Sequence, residues 1–393
     1  MSSASGVKYG RKMRDEHFTF DPAYTPLNHG SYGAFPHAVR QYQRQLQDHV
    51  EARSDPYIRF TIPELLVESR RAAAELLGAS VDDLVFVPNA TTAVNVVLRN
   101  LKYANGDVIL YFSTAYGACE KTIQYVCETT LAESKRIDVT FPIDDDVFIQ
   151  LFRQSISQLR AEGRNARIAM FDTVVTFPGV RLPWEALVRV CKDMEVLSLI
   201  DGAHGIGHID LTHLASVGPD FFTSNCYNMT QDKGRFADQF KWLATVDQTP
   251  YLCVPKAIQF RREVCGGEEA IREHCFSLAR AGGRAVASIL GTEVMENSQQ
   301  TLGQCCFTNV RLPFDFAHGG LEASDGPGVV KCLMDHAMTD FDTWTPARFY
   351  GGAVWVRLSA QIYLEMKDFT WAGEVLLKLC HRIMKGEWRS EQQ

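Results

Sequence analysis

Apolar and polar residues follow two rhythms along this chain, and the switch between them outlines a fold. Over 36–53, PHAVRQYQRQLQDHVEAR spaces its apolar side chains by three or four, with proline in the first turn, which predicts an amphipathic helix. PELLVESRRAAAELLG over 63–78 repeats the pattern, and Gly78 stands where a helix C-cap belongs. Short apolar runs then alternate with helical stretches. Strands are expected at 84–87, 108–112, 137–141, 167–172, 196–200 and 220–223, with helices at about 91–101, 117–130, 146–162 and 183–194. This alternation marks an α/β fold with a mostly parallel sheet covered by helices. Beyond about 255 the helices lengthen (267–290, 327–338, 368–385) and only 307–312 and 354–358 read as strands, which indicates a smaller α+β domain. The expected division is an arm over 1–35, loosely ordered over 1–26, a large domain over 36–255 and a small domain over 256–393.

Composition narrows the function classes. The 40 Lys and Arg against 47 Asp and Glu leave a net charge of −7, where a nucleic-acid or anionic-membrane binder would show a basic surplus. The 46% apolar content is ample for a core. No run of roughly 18 apolar residues is present to span a membrane. The polar, basic start MSSASGVKYGRKMRDEH lacks the apolar centre of a secretory signal, so the expected location is cytoplasmic. Eleven cysteines, an odd number without a C-x₂-C pair, suit a reducing compartment and mostly buried thiols. These features describe an enzyme more readily than a structural protein but name no reaction.

In a parallel sheet, ligands bind at the carboxyl ends of the strands, so the residues behind each expected strand carry the search. Pro88-Asn89-Ala90-Thr91-Thr92-Ala93 opens a helix with small and hydroxyl residues. That suits an anion cradle for a phosphate, or an ordinary threonine-rich N-cap. Ser113-Thr114-Ala115-Tyr116 puts an aromatic at a strand end, where it either stacks on a flat ligand and donates a proton or caps the core. Thr176 precedes the Phe177-Pro178-Gly179 turn and either reaches a ligand or only serves the turn. Asp201 follows an apolar strand directly, and a carboxylate there is costly to bury unless it holds a partner charge such as a protonated ring nitrogen. A metal held by Asp201 with His204 or His208 competes, but no further cluster completes such a site. Arg357 lies inside the apolar strand WVRLS, where its fork suits either an internal acid or a substrate carboxylate.

In chain order the motifs are LNHGSYGAFP (27–36), NATTAVN (89–95), STAYGA (113–118), FDTVVTFPG (171–179), LIDGAHGIGH (199–208), DFFTSNC (220–226), ATVDQTPYL (244–252), GGEEAI (266–271) and VRLSAQIYLEMKDFTWAG (356–373). Together they resemble the fold-type I, class V pyridoxal-phosphate enzymes, in the isopenicillin N epimerase-like branch. Within it they most resemble the fungal hercynylcysteine sulfoxide lyases of ergothioneine biosynthesis. The resemblance implies pyridoxal 5′-phosphate as cofactor and a small amino-acid substrate. It implies a homodimer with its sites at the subunit interface, and no nucleic-acid or membrane partner. Ala90, Thr91 and Thr92 would hold the cofactor phosphate, with Ser224 and Asn225 adding contacts. Thr245 would reach the phosphate of the neighbouring subunit, although Ala244 stands where a glycine is usual. Tyr116 would lie over the ring and protonate the departing group. Thr176 would sit near the ring's phenolic oxygen, and Asp201 would hold the ring nitrogen with His204 beside it. Arg357 would clamp the substrate carboxylate, with Asn28, His29 and Ser31 bordering the pocket and Tyr57 or Arg59 contributing to specificity. The implied activity is C–S β-elimination from a cysteine-derived sulfoxide, giving a thiol product, pyruvate and ammonia. A cysteine desulfurase, an amino-acid epimerase and a catalytically dead scaffold are the alternatives.

One departure stands out. The family's Schiff-base lysine follows Ser-Asn-Cys-His directly, yet here Cys226 is followed by Tyr227-Asn228-Met229-Thr230. Roughly 40–60 residues of the usual domain are missing between Cys226 and about Phe236. Three explanations stand: a stretch left out of the sequence, a truncated or spliced chain, or substitution by Lys233 or Lys241. Loss of core strands would bare a sheet edge, which argues against the truncated chain.

Overall fold

The computed structural model describes residues 8–224, 227–229, 247–316 and 320–390. Its main sheet is built from β1 (Leu84–Val85), β2 (Asp107–Phe112), β3 (Glu133–Ile137), β4 (Asn165–Asp172), β5 (Leu197–Asp201), β6 (Phe221–Ser224) and β7 (Tyr227–Met229). These lie in the order β1-β7-β6-β5-β4-β2-β3. The five strands from β6 to β3 are parallel, and β7 pairs antiparallel with both β6 and β1.

The strands read as unbroken apolar runs because helices cover both faces. Val108, Leu110 and Phe112 of β2 share one core with Phe148, Phe152 and Ile156 of the helix Asp145–Ala161. Ile109 and Tyr111 face the other way. They meet Val94 and Leu98 of the helix Ala90–Asn100 and Ile123 and Val126 of the helix Gly117–Thr129. Gly78 ends the helix Ile62–Leu77 at φ 59°, the left-handed C-cap expected of it.

Three expectations require correction. The strand expected at 137–141 is Glu133–Ile137. As an outer strand beside β2 it needs no apolar run, and the buried Val139 and Phe141 that suggested one pack beyond the ladder. The segment from residue 8 to 26 is not a loose arm. Arg14 is 4% exposed, pairs with Asp368 at 3.0 Å and donates from Nε to the Tyr363 carbonyl, while Met13, Phe18 and Leu27 join the core of the C-terminal half. Its charges read as solvated because the partner of Arg14 lies more than 350 positions away in sequence. The sheet, finally, has no bare edge after Cys226. Ser224 pairs with Tyr227, Thr223 with Asn228 and Phe222 with Met229, and Met229 and Asn228 also pair with Leu84 and Val85. The argument from an exposed edge against a truncated chain therefore fails.

A second, antiparallel sheet has the order β8 (Phe307–Arg311), β10 (Ala353–Ser359), β9 (Ala347–Tyr350). The helices Glu268–Leu290 and Met366–Met384 pack on it and on each other. Gly282 and Gly283 allow the approach, since a Cβ on either would strike Phe369 or Thr308. Among the described residues no helix is long and apolar enough to cross a membrane.

Candidate active site

The carboxyl ends of β4 and β5 place two acids side by side. Asp172 and Asp201 are registered neighbours, and both are buried. Asp201 accepts the Ala203 N–H at 3.0 Å and lies 3.6 Å from the Cys119 thiol. Burial pushes both carboxyls up, and the charge of Asp201 pushes Asp172 further. Two acids this close cannot both ionise, so Asp172 keeps the proton and Asp201, with its two donors, carries the charge. Asp172 went unnoticed as a candidate, although it closes its strand as Asp201 does.

At the start of the helix Ala90–Asn100, Asn89 is the N-cap. Its side chain accepts the Thr92 N–H at 2.8 Å and the Thr92 hydroxyl at 3.0 Å. Thr92 is thereby committed to the cap. Thr91 keeps the backbone N–H of the second helical position and a hydroxyl with no partner among the described residues, both in the positive field of the helix end. The phosphate-cradle reading therefore centres on Thr91, next to the buried Ala90. Ser224 reaches this end of the sheet, but its hydroxyl donates to the Gly202 carbonyl at 2.6 Å, so it offers no free O–H. Asn225, Thr245, Lys233 and Lys241 lie outside the described residues.

Tyr116 is 49% exposed at the N-terminus of the helix Gly117–Thr129, so it does not cap the core. One turn on, Cys119 touches Asp201, which puts Tyr116 at the mouth of the same site.

Arg357 sits deepest. It is 1% exposed on β10 and lies 4.6 Å over the Phe307 ring. It donates to the Thr176 carbonyl at 2.6 Å, and its other terminal nitrogen donates to Asn28 and Ser31, both at 2.9 Å. Its Nε has no partner, and no carboxylate among the described residues pairs with it. Burial lowers its pKa to about 10, which leaves it cationic at neutral pH. The Thr176 hydroxyl meets Nε2 of His204 at 3.1 Å. Thr176 thus links the arginine to the histidine beside Asp201. Burial first and Arg357 second hold His204 neutral, at about 3. His208 is likewise held below its ordinary value by burial, with its Nδ1 unpartnered, and both rings pack edge-on against Phe307. His29, next to Asn28, bonds Tyr363.

Close backbone approaches hold this arrangement. Gly179 exchanges two 2.9 Å hydrogen bonds with the Asn309 side chain, tying the turn behind β4 to β8. A Cβ on Gly179 would lie 2.7 Å from Arg357 Cδ. Asn309, Phe307 and Tyr363 were not singled out from the sequence, because their partners are remote in it. Arg59 is on the surface, paired with Asp55 at 3.3 Å within its own helical turn, and Tyr57 packs near His49 on the preceding helix. Neither hydrogen-bonds to a described site residue.

Nine of the ten described cysteines are buried, and burial pushes Cys305 up to about 12. None of the ten is an exposed thiol of the kind a sulfur acceptor needs.

The family model for class-V aminotransferases matches residues 35–226 and stops at the junction where the motifs depart. The L-cysteine desulfhydrase-like protein lolT2 of Epichloe uncinata is 33% identical, across 98% of this chain and 97% of its own length. That alignment runs over 454 positions against the 393 residues here, so the relative carries stretches with no counterpart in this chain. The hercynylcysteine sulfoxide lyase of Schizosaccharomyces pombe is 26% identical across 95% of this chain and 98% of its own, a lower identity than the desulfhydrase-like protein shows. The solved complex of the cystine C–S lyase C-DES with cysteine persulfide has the same fold, with a TM-score of 0.72 at 15% identity, covering 91% of this chain and 98% of that one.

Proposed function

The chain belongs to the class-V aminotransferase family of pyridoxal-phosphate enzymes, among cysteine desulfhydrases and C–S lyases, and from that premise we propose a cysteine-derived sulfoxide conjugate, hercynylcysteine sulfoxide, as its substrate. The reaction would be β-elimination across the Cβ–S bond. It would release a sulfur product destined for the thiol, with pyruvate and ammonia, as a step of ergothioneine biosynthesis.

The described residues fit the cofactor at two points and its substrate at a third. Thr91 offers an N–H and a hydroxyl to the phosphate. Asp201 is the ionised acid for the ring nitrogen. Arg357 is a buried cation still without its anion. When bound, pyridoxal phosphate supplies an electron sink for breaking the Cα–H bond. Around that step the described residues bind, orient and donate. Asp201 keeps a proton on the ring nitrogen, and the neutral Asp172 beside it adds no second charge. Arg357, anchored by Thr176, Asn28 and Ser31, fixes the substrate carboxylate and hence the direction of Cα–H. Tyr116, open at the mouth, donates a proton to the departing sulfur group. The observation that carries this reading is the buried Arg357 guanidinium, whose charge no carboxylate among the described residues neutralises. A buried charge is expensive unless an anion arrives to meet it.

Two further assignments belong to the same proposal. The chain divides near residue 255, so that 256–393 brings Arg357 to the Asp201 of 36–255. A homodimer covers the exposed Tyr32 and Phe35, which adjoin Ser31.

A second reading has one specific observation in its favour. The β6–β7 hairpin completes the sheet with Tyr227-Asn228 where the family's His-Lys pair is expected. On that reading the chain holds its cofactor without a covalent bond and is silent as a lyase. The purified chain, loaded with pyridoxal phosphate, separates the two. Borohydride should fix the cofactor to a lysine, and a cysteine sulfoxide conjugate should then yield pyruvate in the unreduced protein. No fixation and no pyruvate leaves the silent reading, whereas fixation without pyruvate removes the lyase reading and favours an epimerase.

A further inference from the structure

Tyr363 lies just past β10, buried against Phe18 and Phe20 with ring centroids 5.0 and 4.8 Å away. Its phenol oxygen is 2.5 Å from Nδ1 of His29. Burial raises the phenol far above its ordinary range. Burial also lowers His29 to about 4, helped by the Arg261 cation of the helix Val254–Glu263, and His208 faces the same ring. Both partners are therefore neutral through the middle of the pH range. The buried phenol O–H has no other acceptor among the described residues, so the arrangement that satisfies it has Tyr363 donating to Nδ1, with the imidazole proton on Nε2.

That nitrogen has no hydrogen-bond partner among the described residues, yet it is not sealed in the core. Gly33 keeps it uncovered, since a Cβ there would come within 3.0 Å of Nε2. Asn28 and Ser31, on either side of His29 in the loop, are the two side chains that hold Arg357. The loop that holds the guanidinium through Asn28 and Ser31 thus also carries an open N–H donor.

We propose that Tyr363 is a positioning residue that locks His29 as the Nε2–H tautomer, and that this N–H donates to an oxygen on the substrate's sulfur, so that the site prefers a sulfoxide to the matching thioether. The second part rests on the lyase reading, and the first does not. A thioether sulfur is a weak acceptor and would leave the donor unmet, whereas a sulfoxide oxygen is a strong one.

The full chain labelled with ¹⁵N-histidine tests the first part, with the His29 signals assigned by their loss in His29→Gln. Imidazole ¹⁵N shifts should show the neutral Nε2–H form with no titration above pH 5. Tyr363→Phe should mix the tautomers, while burial and Arg261 keep the titration low. Wild-type His29 in the Nδ1–H form, or titrating near 6.5, overturns the lock whether or not the protein is a lyase. Calorimetry on the pyridoxal-phosphate-loaded chain tests the second part. The ligands are α-methyl-S-methylcysteine sulfoxide and its thioether, which have no Cα–H to lose. The sulfoxide should bind about 10-fold tighter, on the scale of one hydrogen bond. Both His29→Phe and Tyr363→Phe should erase that preference. Equal affinities in the wild type overturn the oxygen contact and leave the tautomer result standing. Absence of pyruvate from an intact substrate, with both results upheld, would sink only the lyase reading.

Discussion

Arg357→Gln is the sharpest probe of the site. The guanidinium is buried, held by Thr176, Asn28 and Ser31, and lacks a carboxylate among the described residues. Burial lowers its pKa from 12.5 to about 10, which sets the order of magnitude of the cost of keeping that charge buried. At ~1.36 kcal/mol per pH unit the cost is about 3 kcal/mol, within the ~2–5 kcal/mol typical of buried charge pairs. An arriving carboxylate recovers it. Arg357→Gln keeps a hydrogen-bonding side chain and removes the charge, so affinity for the α-methyl cysteine sulfoxide should drop on the order of 100-fold. The matching amine without a carboxylate should bind the variant no more weakly than the wild type. Because the guanidinium stays protonated below about pH 10, the loss should be flat from pH 6 to 9. Calorimetry with both ligands checks this. A loss shared equally by the amine, or no loss for the amino acid, would refute the carboxylate clamp and return Arg357 to a purely structural role.

Other outcomes follow from the same geometry. Tyr116→Phe should lower turnover by ~10²–10⁴ while cofactor affinity holds, and a parallel fall in both would sink the acid role. His204 is neutral when folded, at about 3, whereas an unfolded imidazole titrates near 6.5, so its contribution to stability is complete above 6.5 and is lost as pH falls toward 3. Between pH 7 and 5 the loss is about 2 kcal/mol. His204→Gln should flatten the urea-midpoint decline by that amount, and an unchanged slope would contradict it. Arg14→Ala strands the buried Asp368 and should cost ~3–5 kcal/mol in chemical denaturation. The paired change Arg14→Met with Asp368→Leu should recover most of it, and a single-variant cost near zero would mean that the N-terminal helix is not docked in solution.

The sequence showed the central strands because a parallel sheet buried on both faces has no polar positions to blur them, as β2 and β4 illustrate. Asp201 and Arg357 were visible for the opposite reason, since a charge inside an apolar run has few explanations. The edge strand β3 was misplaced because solvent on one side removes the apolar signal, and Val139 and Phe141 supplied a false one. Asp172 passed as a strand terminus because its meaning depends on the register with Asp201. Tyr363, Asn309 and the docking of Arg14 depend on partners more than 120 residues away, which no local pattern encodes. The lysine departure was legible in the motif, but its structural consequence was not, because three residues sufficed to close the sheet.

That closure bears on how such a chain survives. Exposed strand edges mark defective products for aggregation and degradation. Here the outer positions of the sheet fall to the two-residue β1 and the polar β3, and Tyr227–Met229 fill the slot between β1 and β6. Among the described residues the central strands are thus paired even where the family's anchoring residue is replaced. Solubility and chemical competence are therefore separately inherited properties of this fold, and abundance in the cell says nothing about turnover.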